Sequence, residues 1–223
     1  MNDDATSAYT PASRRPIAQL FRRTADVAVR LCVARNVHPD VISLTSIVAS
    51  ALAAACFFYA WRWPVLLIVA PLLCYVRLWL NMLDGMVALA SGKASPRGEI
   101  LNDLPDRVSD VLIFASVAHS GFCHPLLGYW AAIFALLTAY VGTLGQAVAG
   151  HREFGGMMSK PFRMVMLHAG AWGTFLLIAV RQPIAIGPMT VLDWTCVLIL
   201  GGCAQTIAVR LMATTRRLRA GQG

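Results

Sequence analysis

The chain has 223 residues, of which 57% are hydrophobic and only 13% are charged, and it carries a formal net charge of +8. A soluble domain of this size contains about 25% charged residues, so the composition excludes an ordinary soluble enzyme. Apolar runs that reach the ~20 residues needed to cross hydrocarbon recur along the sequence, which predicts an all-α, polytopic membrane helix bundle.

The chain begins with a polar segment that precedes a basic amphipathic helix. Residues 1–12 are predicted to be a disordered N-terminal tail. They lack the apolar core of a secretory signal peptide, so nothing suggests cleavage. Residues 13–36 are predicted to form a juxtamembrane helix, because apolar residues repeat with helical spacing and arginines lie opposite them. Such a helix binds the interface of an anionic leaflet, so its charge indicates lipid and not nucleic acid as the partner.

Six transmembrane helices are predicted to follow in one domain over residues 37–212, before a basic cytoplasmic tail at residues 213–223. The predicted spans are residues 41–60, 64–89, 104–122, 127–149, 163–181 and 188–210. With both termini cytoplasmic, nearly all of the 19 Lys and Arg residues lie on the cytoplasmic side, as the positive-inside rule requires. The exceptions are Arg62 and Arg181 outside and Arg77 within a span. We therefore expect a multi-pass protein of a bacterial inner membrane.

The six cysteines lie in or beside the apolar runs, and no two of them form a CxxC pair. Isolated cysteines in apolar segments behave as small hydrophobic residues. We therefore expect buried cysteines without a metal-binding or redox role.

Polar residues are concentrated where the second and third spans meet the cytoplasmic loop between them. Arg77, Asn81 and Asp84 lie on one face of the second helix because they are spaced by four and three residues. A second polar face begins the third span, with members at intervals of four residues: Asn102, Asp106 and Asp110. Two helix ends can therefore point carboxylate and amide oxygens at each other.

Spacing alone leaves two interpretations of this cluster open. Buried carboxylates are unfavourable unless they are neutralised, and their oxygens are ligands for a hard cation such as Mg²⁺, Mn²⁺ or Ca²⁺. Alternatively, Arg77 and Arg107 pair with the acidic residues in a structural ion-pair network. Gly85 and Gly98 favour a bound ligand, because glycine leaves open space beside the acidic side chains.

The same stretch resembles the signature of the CDP-alcohol phosphatidyltransferases, which are integral membrane enzymes of phospholipid synthesis. Their motif reads DxxDGxxAR, followed after eight or nine residues by GxxxDxxxD; this chain has NMLDGMVAL, eight residues, and GEILNDLPD. The matching positions are Asp84, Gly85, Ala88, Gly98 and Asp106. The departures are Asn81, Leu89 and Asn102. The segment HPDVISLTS also resembles the family's Pro-Asn-x-x-Thr element, with Asp40 and Ser43 as substitutes, and the six-span plan with an interfacial helix agrees.

The resemblance implies metal-dependent transfer of a phosphatidyl group from CDP-diacylglycerol, or a similar CDP-linked donor, to an alcohol acceptor with release of CMP. It implies that Asp106 is the catalytic base that deprotonates the acceptor. The implied cofactor is Mg²⁺ or Mn²⁺, and the candidate ligands are Asn81, Asp84, Asn102, Asp106 and, added for this chain, Asp110. The implied nucleotide contacts are Asp84, Gly85, Ala88 and Gly98.

Asparagine brings an oxygen ligand but no charge, which leaves three possibilities for the site. It holds one metal ion or binds two weakly. It recruits Asp103, Asp110 or Glu99 in compensation, and Asp110 is preferred because it shares the face of Asp106. Or it has lost the chemistry and kept CDP-lipid binding, which makes a non-catalytic or regulatory binding protein the alternative function. A small transporter is disfavoured, because the acids cluster at one membrane face and not at the midplane.

Four cations are candidates for contact with phosphate or with the acceptor: Arg77, Arg152, Lys160 and Arg163. The last three belong to the cytoplasmic loop between the fourth and fifth spans, where related enzymes carry a Gly–Lys element that contacts phosphate or the acceptor. Their presence would fit an acceptor alcohol that is itself phosphorylated. Many relatives form dimers through membrane helices, so a homodimer is also expected.

Overall fold

The computed structural model of the protein describes residues 16–93 and 96–220. In this part of the chain, seven α-helices and one antiparallel two-stranded hairpin follow each other. Their bounds are α1 Pro16–Ala34, α2 Pro39–Phe58, α3 Leu66–Ala90, α4 Pro96–Ala118, α5 Pro125–Ala149, α6 Lys160–Ala179, β1 Ala185–Ile186, β2 Met189–Thr190 and α7 Val191–Ala220. The predicted disordered tail at residues 1–12 and the last residues, 221–223, lie outside the described residues, as does the side chain of Glu99.

Five of the described helices are long and apolar enough to cross a membrane: α2, α3, α5, α6 and α7. This confirms an all-helical, multi-pass membrane protein. The helix predicted as the third span, α4, has four charged residues in its central turns: Asp103, Asp106, Arg107 and Asp110. Its second half nevertheless belongs to the core, because Ile113, Phe114 and Val117 are fully buried.

The helix ends follow local chemistry. Proline stands at the first or second position of α2, α5 and α6, where its missing N–H has no partner to lose. Gly150 ends α5 in the left-handed conformation, with φ of 66°, and its N–H binds the carbonyl of Gln146. The last helix runs unbroken to Ala220, so residues 213–220 of the predicted basic tail are helical.

Small residues bring the helices close together. A Cβ on Gly128 would lie 2.7 Å from the Cβ of Ala118, so α5 can approach α4 this closely only with glycine there. A Cβ on Gly170 would clash with Thr195 in the same way, where α6 meets α7. Such contacts replace the hydrophobic driving force that is lacking between helices in lipid. They fix α4 against α5 and α6 against α7, away from the helix ends that carry the polar cluster.

The first helix packs beside α3 at the end that carries the polar cluster. Partly buried residues Ala28, Val29 and Cys32 contact the core around Leu83 and Val87. Asn36, with φ of 52°, then turns the chain towards α2. The placement of α1 in a lipid interface stays a prediction.

Candidate active site

Asp84 lies where three helices meet near the loop between α3 and α4. It sits near the end of α3 and is only 2% exposed. Ser43 of α2 donates a hydrogen bond to its Oδ2 at 2.5 Å, and Asn102 of α4 donates to its Oδ1 at 2.8 Å. The N–H of Gly85 also donates to Oδ1, at 2.6 Å. Hydrogen-bond donors therefore hold this carboxylate, and it makes no ion pair among the described residues.

The two asparagines that replace motif aspartates lie side by side. Asn81 Nδ2 donates to Asn102 Oδ1 at 3.3 Å, and Asn102 in turn donates to Asp84. The remaining oxygen, Asn81 Oδ1, is buried and accepts no hydrogen bond from the described part of the chain. A buried acceptor without a donor is unfavourable by about 1–3 kcal/mol unless a ligand or water satisfies it. The predicted convergence of Asn81, Asp84 and Asn102 is therefore present, with one oxygen atom available.

Asp106 contacts two cations. Both of its carboxylate oxygens contact Lys160 Nζ, and Arg77 Nη2 lies 3.3 Å from Oδ1. Arg77 Nη2 also donates to the backbone carbonyl of Asp106 at 2.9 Å. The side chain predicted as the base is thus 9% exposed and fully paired in this arrangement.

Asp110 lies one turn deeper and, among the described residues, forms the most buried ion pairs. Its two oxygens accept from Arg77 Nη2 at 3.0 Å and from Arg163 Nη2 at 2.8 Å, and the three side chains are at most 2% exposed. The predicted ion-pair network therefore forms in part, but its second cation is Arg163. Arg107 pairs instead with Asp103, at 2.6 Å.

Asp103 points away from the asparagines and holds the loop after α5. Arg107 and Arg152 both donate to its Oδ1, at 2.6 and 2.8 Å. Asp103 therefore pairs with Arg107 of its own helix and with Arg152 of the loop after α5, and it does not contact the asparagines. This agrees with its rotation from Asn102 around the helix.

A cavity of about 360 Å³ opens beside Asp106, between α4, α5, α6 and the end of α7. Its wall includes five cations and one acid: Arg107, Arg152, Lys160, Arg163, Arg210 and Glu153. Three of the four cations predicted to contact phosphate or the acceptor line this cavity. Arg77, the fourth, is fully buried beneath Asp106 and does not line it.

The cavity contains two residues that the spacing patterns did not single out. Arg210 of α7 donates to the carbonyls of Thr138 at 2.5 Å and Gly155 at 3.0 Å, and Glu153 accepts from Arg217. An arginine inside an otherwise apolar run was the available signal for Arg210, because such residues are rare in spans. Glu153 lies in a loop and offered no such signal.

The glycines of the motif leave space at the site. A Cβ on Gly85 would meet nothing nearer than Asn102 Nδ2 at 4.0 Å, so the surface beside Asp84 is open. Gly98 and Ala88 are half-buried near the same loop, whereas Leu89 points outward with 47% of its surface exposed.

No family model matches the chain, but individual proteins do. An archaetidylinositol phosphate synthase of Aeropyrum pernix is 30% identical over 131 residues, which cover 59% of this chain and 64% of the relative. A phosphatidylinositol phosphate synthase of Cutibacterium acnes is 28% identical over 217 residues, which cover 89% and 94%. The inner membrane protein YnbA of Escherichia coli is 28% identical over 138 residues, which cover 62% and 67%.

Solved structures share the fold. Mycobacterium tuberculosis phosphatidylinositol phosphate synthase with CDP-DAG bound superposes with a TM-score of 0.68 at 20% identity, over 86% of this chain and 94% of that one. The same enzyme in complex with manganese and citrate gives a TM-score of 0.68 over 85% and 88%.

The chain is thus similar in sequence to an archaetidylinositol phosphate synthase and a phosphatidylinositol phosphate synthase, and it shares the fold of a solved phosphatidylinositol phosphate synthase. Asn81 and Asn102 are tied to Asp84 by hydrogen bonds, while the two deeper carboxylates, Asp106 and Asp110, are neutralised by side chains of α3 and α6. Among the described residues no group of three or more His, Cys, Asp and Glu is placed to hold a metal ion.

Proposed function

We propose that the protein is a metal-dependent phosphatidyltransferase that moves a phosphatidyl group from CDP-diacylglycerol to an alcohol acceptor and releases CMP. The observation that carries the proposal is the junction of α3, α4 and α6, where Asp84 and two amide side chains lie near Asp106 and a cation-lined cavity. The solved mycobacterial enzyme of the same fold has CDP-DAG bound, which supports this donor. Two sequence relatives are an archaetidylinositol phosphate synthase and a phosphatidylinositol phosphate synthase, which supports this reaction class.

The oxygens around Asp84 fit a divalent cation. Asn81 Oδ1 is buried without a donor, and carboxylate and amide oxygens are the ligands that Mg²⁺ and Mn²⁺ prefer. Asn81, Asp84, Asn102 and Asp106 would hold the cation, which when bound neutralises the diphosphate of the donor. Asp110 is a further proposed ligand. One of its oxygens would have to lose its contact with Arg77 or Arg163 before it could bind the cation.

Asp106 is the proposed base. The acceptor oxygen forms a bond to the phosphorus of the phosphatidyl group, the bond from that phosphorus to the CMP oxygen breaks, and the hydroxyl proton passes to the Asp106 carboxylate. Lys160 has to leave Asp106 before this transfer, because its ammonium contacts both carboxylate oxygens. It lines the cavity and can reach a phosphate there without leaving the site.

The acceptor is proposed to carry a phosphate of its own. A cavity with five cations and one acid is suited to an anionic group, and guanidinium groups bind phosphate in a bidentate manner. Arg152, Lys160 and Arg163 are the proposed phosphate contacts. The cytidine nucleotide would lie on the open surface next to Asp84, Gly85, Ala88 and Gly98. Arg77 is assigned to orient the two deeper carboxylates, and its contact with phosphate stays a prediction.

The membrane arrangement is part of the proposal. At 23 residues α4 is about 35 Å long, enough to cross the hydrocarbon core as a sixth span. Exposed aromatic residues lie at the end opposite the site, as expected at a membrane–water interface: Tyr59, Trp61, Trp63, Tyr129 and Trp130. The positive-inside rule then puts the site and both termini in the cytoplasm, with α1 in the cytoplasmic interface. A homodimer is proposed through the membrane helices.

The test is CMP release by the purified protein in lipid nanodiscs with CDP-diacylglycerol, Mn²⁺ or Mg²⁺, and matched pairs of free and phosphorylated alcohols. We expect release with a phosphorylated alcohol, and a loss of about 100-fold or more in Asp106→Asn because the base is removed. Asp26→Asn, an exposed carboxylate of α1, is the matched control and should retain the rate. Absence of CMP release by the unaltered protein with every acceptor would refute the proposal.

The pairing of Asp106 with Lys160 also favours a second candidate, a CDP-lipid-binding protein without turnover. Such a protein needs the Asp84 surface but no accessible base. It would show a rise in thermal midpoint with CDP-diacylglycerol that is lost in Asp84→Ala, together with no CMP release. Turnover by the unaltered protein would exclude this alternative.

A further inference from the structure

Two cysteines meet at the end of the bundle opposite the active site. Cys123 lies in the loop between α4 and α5, and Cys196 lies in the second turn of α7. Their Sγ atoms are 3.7 Å apart, although 73 residues separate them in the chain. The expectation of isolated cysteines came from sequence spacing, which cannot register a pair formed across the fold.

Neighbouring contacts hold this pair together. On one side of Cys123, the carbonyl of Phe122 accepts from Thr190 Oγ1 at 2.7 Å. On the other side, the N–H of His124 donates to Asp193 Oδ1 at 2.6 Å. Thr190 directly precedes α7, and Asp193 lies in its first turn. The loop is therefore fixed to the start of α7 on both sides of the thiol.

The two sulfur atoms differ in access. Cys123 is 8% exposed at the loop, whereas Cys196 is fully buried beneath it. A disulfide requires about 2.05 Å between the sulfur atoms, so an approach of less than 2 Å would join them. A reagent would reach Cys123 first, and Cys196 is placed to react with the product.

We propose that Cys123 and Cys196 form an intramolecular disulfide that straps the α4–α5 loop to α7. The Cys123 thiolate attacks one sulfur of a protein disulfide oxidant and releases the other as a thiol, which gives a mixed disulfide. The Cys196 thiolate then attacks Cys123 Sγ and releases the second oxidant thiol. Two electrons pass from the cysteines to the oxidant disulfide, and the two thiol protons end on the released thiols.

The Cys123–Cys196 pair lies far from the candidate active site. Along α7, Cys196 and Arg210 of the cavity are 14 residues apart, about 21 Å of helix, so the bond would form remote from the site. In the proposed orientation this end faces the oxidising side of the membrane, where disulfides persist. The inference rests on that orientation but not on the proposed reaction, so loss of one leaves the other standing.

The decisive experiment blocks free thiols in intact cells that produce the full chain, before lysis, and maps the cysteine peptides by mass spectrometry. We expect a cross-linked peptide that joins Cys123 to Cys196. Recovery of both residues as blocked thiols would overturn the proposal, and this result requires no variant to fold.

Thermal unfolding of the purified protein gives an independent measurement. After treatment with glutathione disulfide, the thermal midpoint should exceed that of the dithiothreitol-reduced protein by about 5–10 °C, because a long loop is closed. Cys203→Ser should keep the increment, since Cys203 is equally buried in α7 two turns further along. Cys123→Ser and Cys196→Ser should each lose it. An increment that survives in either of these two variants would contradict the assignment.

Discussion

Replacement of Asp110 by Asn tests how the deep ion pairs stabilise the bundle. The carboxylate is 1% exposed and is shared between Arg77 and Arg163, which are themselves buried. With Lys160 and Asp106, the cluster comprises three cations and two carboxylates. In Asp110→Asn three cations would face a single carboxylate: Arg163 would lose its charged partner inside the protein, and Arg77 would keep only Asp106.

The magnitude follows from burial. Removal of one partner from a buried ion pair destabilises a protein by about 3–5 kcal/mol, because a charge remains without compensation. At roughly 2–4 °C per kcal/mol for a chain of this size, the thermal midpoint should fall by about 10 °C. Asp103→Asn is the matched control. Asp103 lies on the same helix as Asp110 and also pairs with two arginines, but its side chain is 32% exposed. Exposed pairs contribute about 0–1 kcal/mol, so its midpoint should fall by no more than about 3 °C.

The assay is thermal unfolding in detergent, followed by tryptophan fluorescence, with EDTA present so that metal binding contributes nothing. Asp110→Asn should unfold well below Asp103→Asn at the same detergent concentration. Equal midpoints for the two variants would refute the reasoning, because burial is the feature that separates them.

Three further predictions concern metal, acceptor and packing. Asn81→Asp combined with Asn102→Asp adds two charges beside Asp84, and should lower the Mn²⁺ concentration for half-maximal thermal stabilisation by about 10-fold or more. Lys160→Ala removes a cation of the cavity, and should raise KM for a phosphorylated acceptor by about 10-fold while KM for CDP-diacylglycerol changes little. Gly170→Ala should lower the thermal midpoint by several degrees, because its Cβ would clash with Thr195, whereas Gly201→Ala meets open space and should not.

Each of these has an outcome that would count against it. Unchanged Mn²⁺ dependence in the double aspartate variant would show that the cation binds elsewhere. An equal rise in both KM values for Lys160→Ala would indicate general damage to the site and not a role in acceptor binding. A midpoint for Gly170→Ala that equals that of Gly201→Ala would show that α6 and α7 can separate without loss.

The helices could be predicted because the sequence patterns that indicate them are local. The predicted second span, residues 64–89, agrees closely with α3 at Leu66–Ala90, since a long apolar run fixes both the helix type and its length. The one-face spacing of Asn81 and Asp84 and the four-residue spacing of Asn102 likewise anticipated their contact. The end of α7 was less predictable: polar, basic residues 213–220 gave no apolar signal, yet they extend the helix.

Partners across the bundle were beyond the reach of spacing. The spacing of α4 puts Asp106 and Asp110 on one face, but does not specify which helix supplies their cations. Lys160 and Arg163 come from α6, more than 50 residues away, and share one face there because they are three residues apart. The Cys123–Cys196 contact was missed for the same reason, because pairing across a fold leaves no mark in sequence spacing.

The most direct test of the central claim is the identity of the lipid made from CDP-diacylglycerol. The protein in nanodiscs would be given Mn²⁺ and a phosphorylated alcohol, and the lipids analysed by mass spectrometry. We expect a new lipid whose mass is that of the phosphatidyl group joined to the phosphorylated alcohol. It should form in equal amount with CMP and should be absent in Asp106→Asn. Intact CDP-diacylglycerol and no new lipid, from a protein that still binds CDP-diacylglycerol, would contradict it.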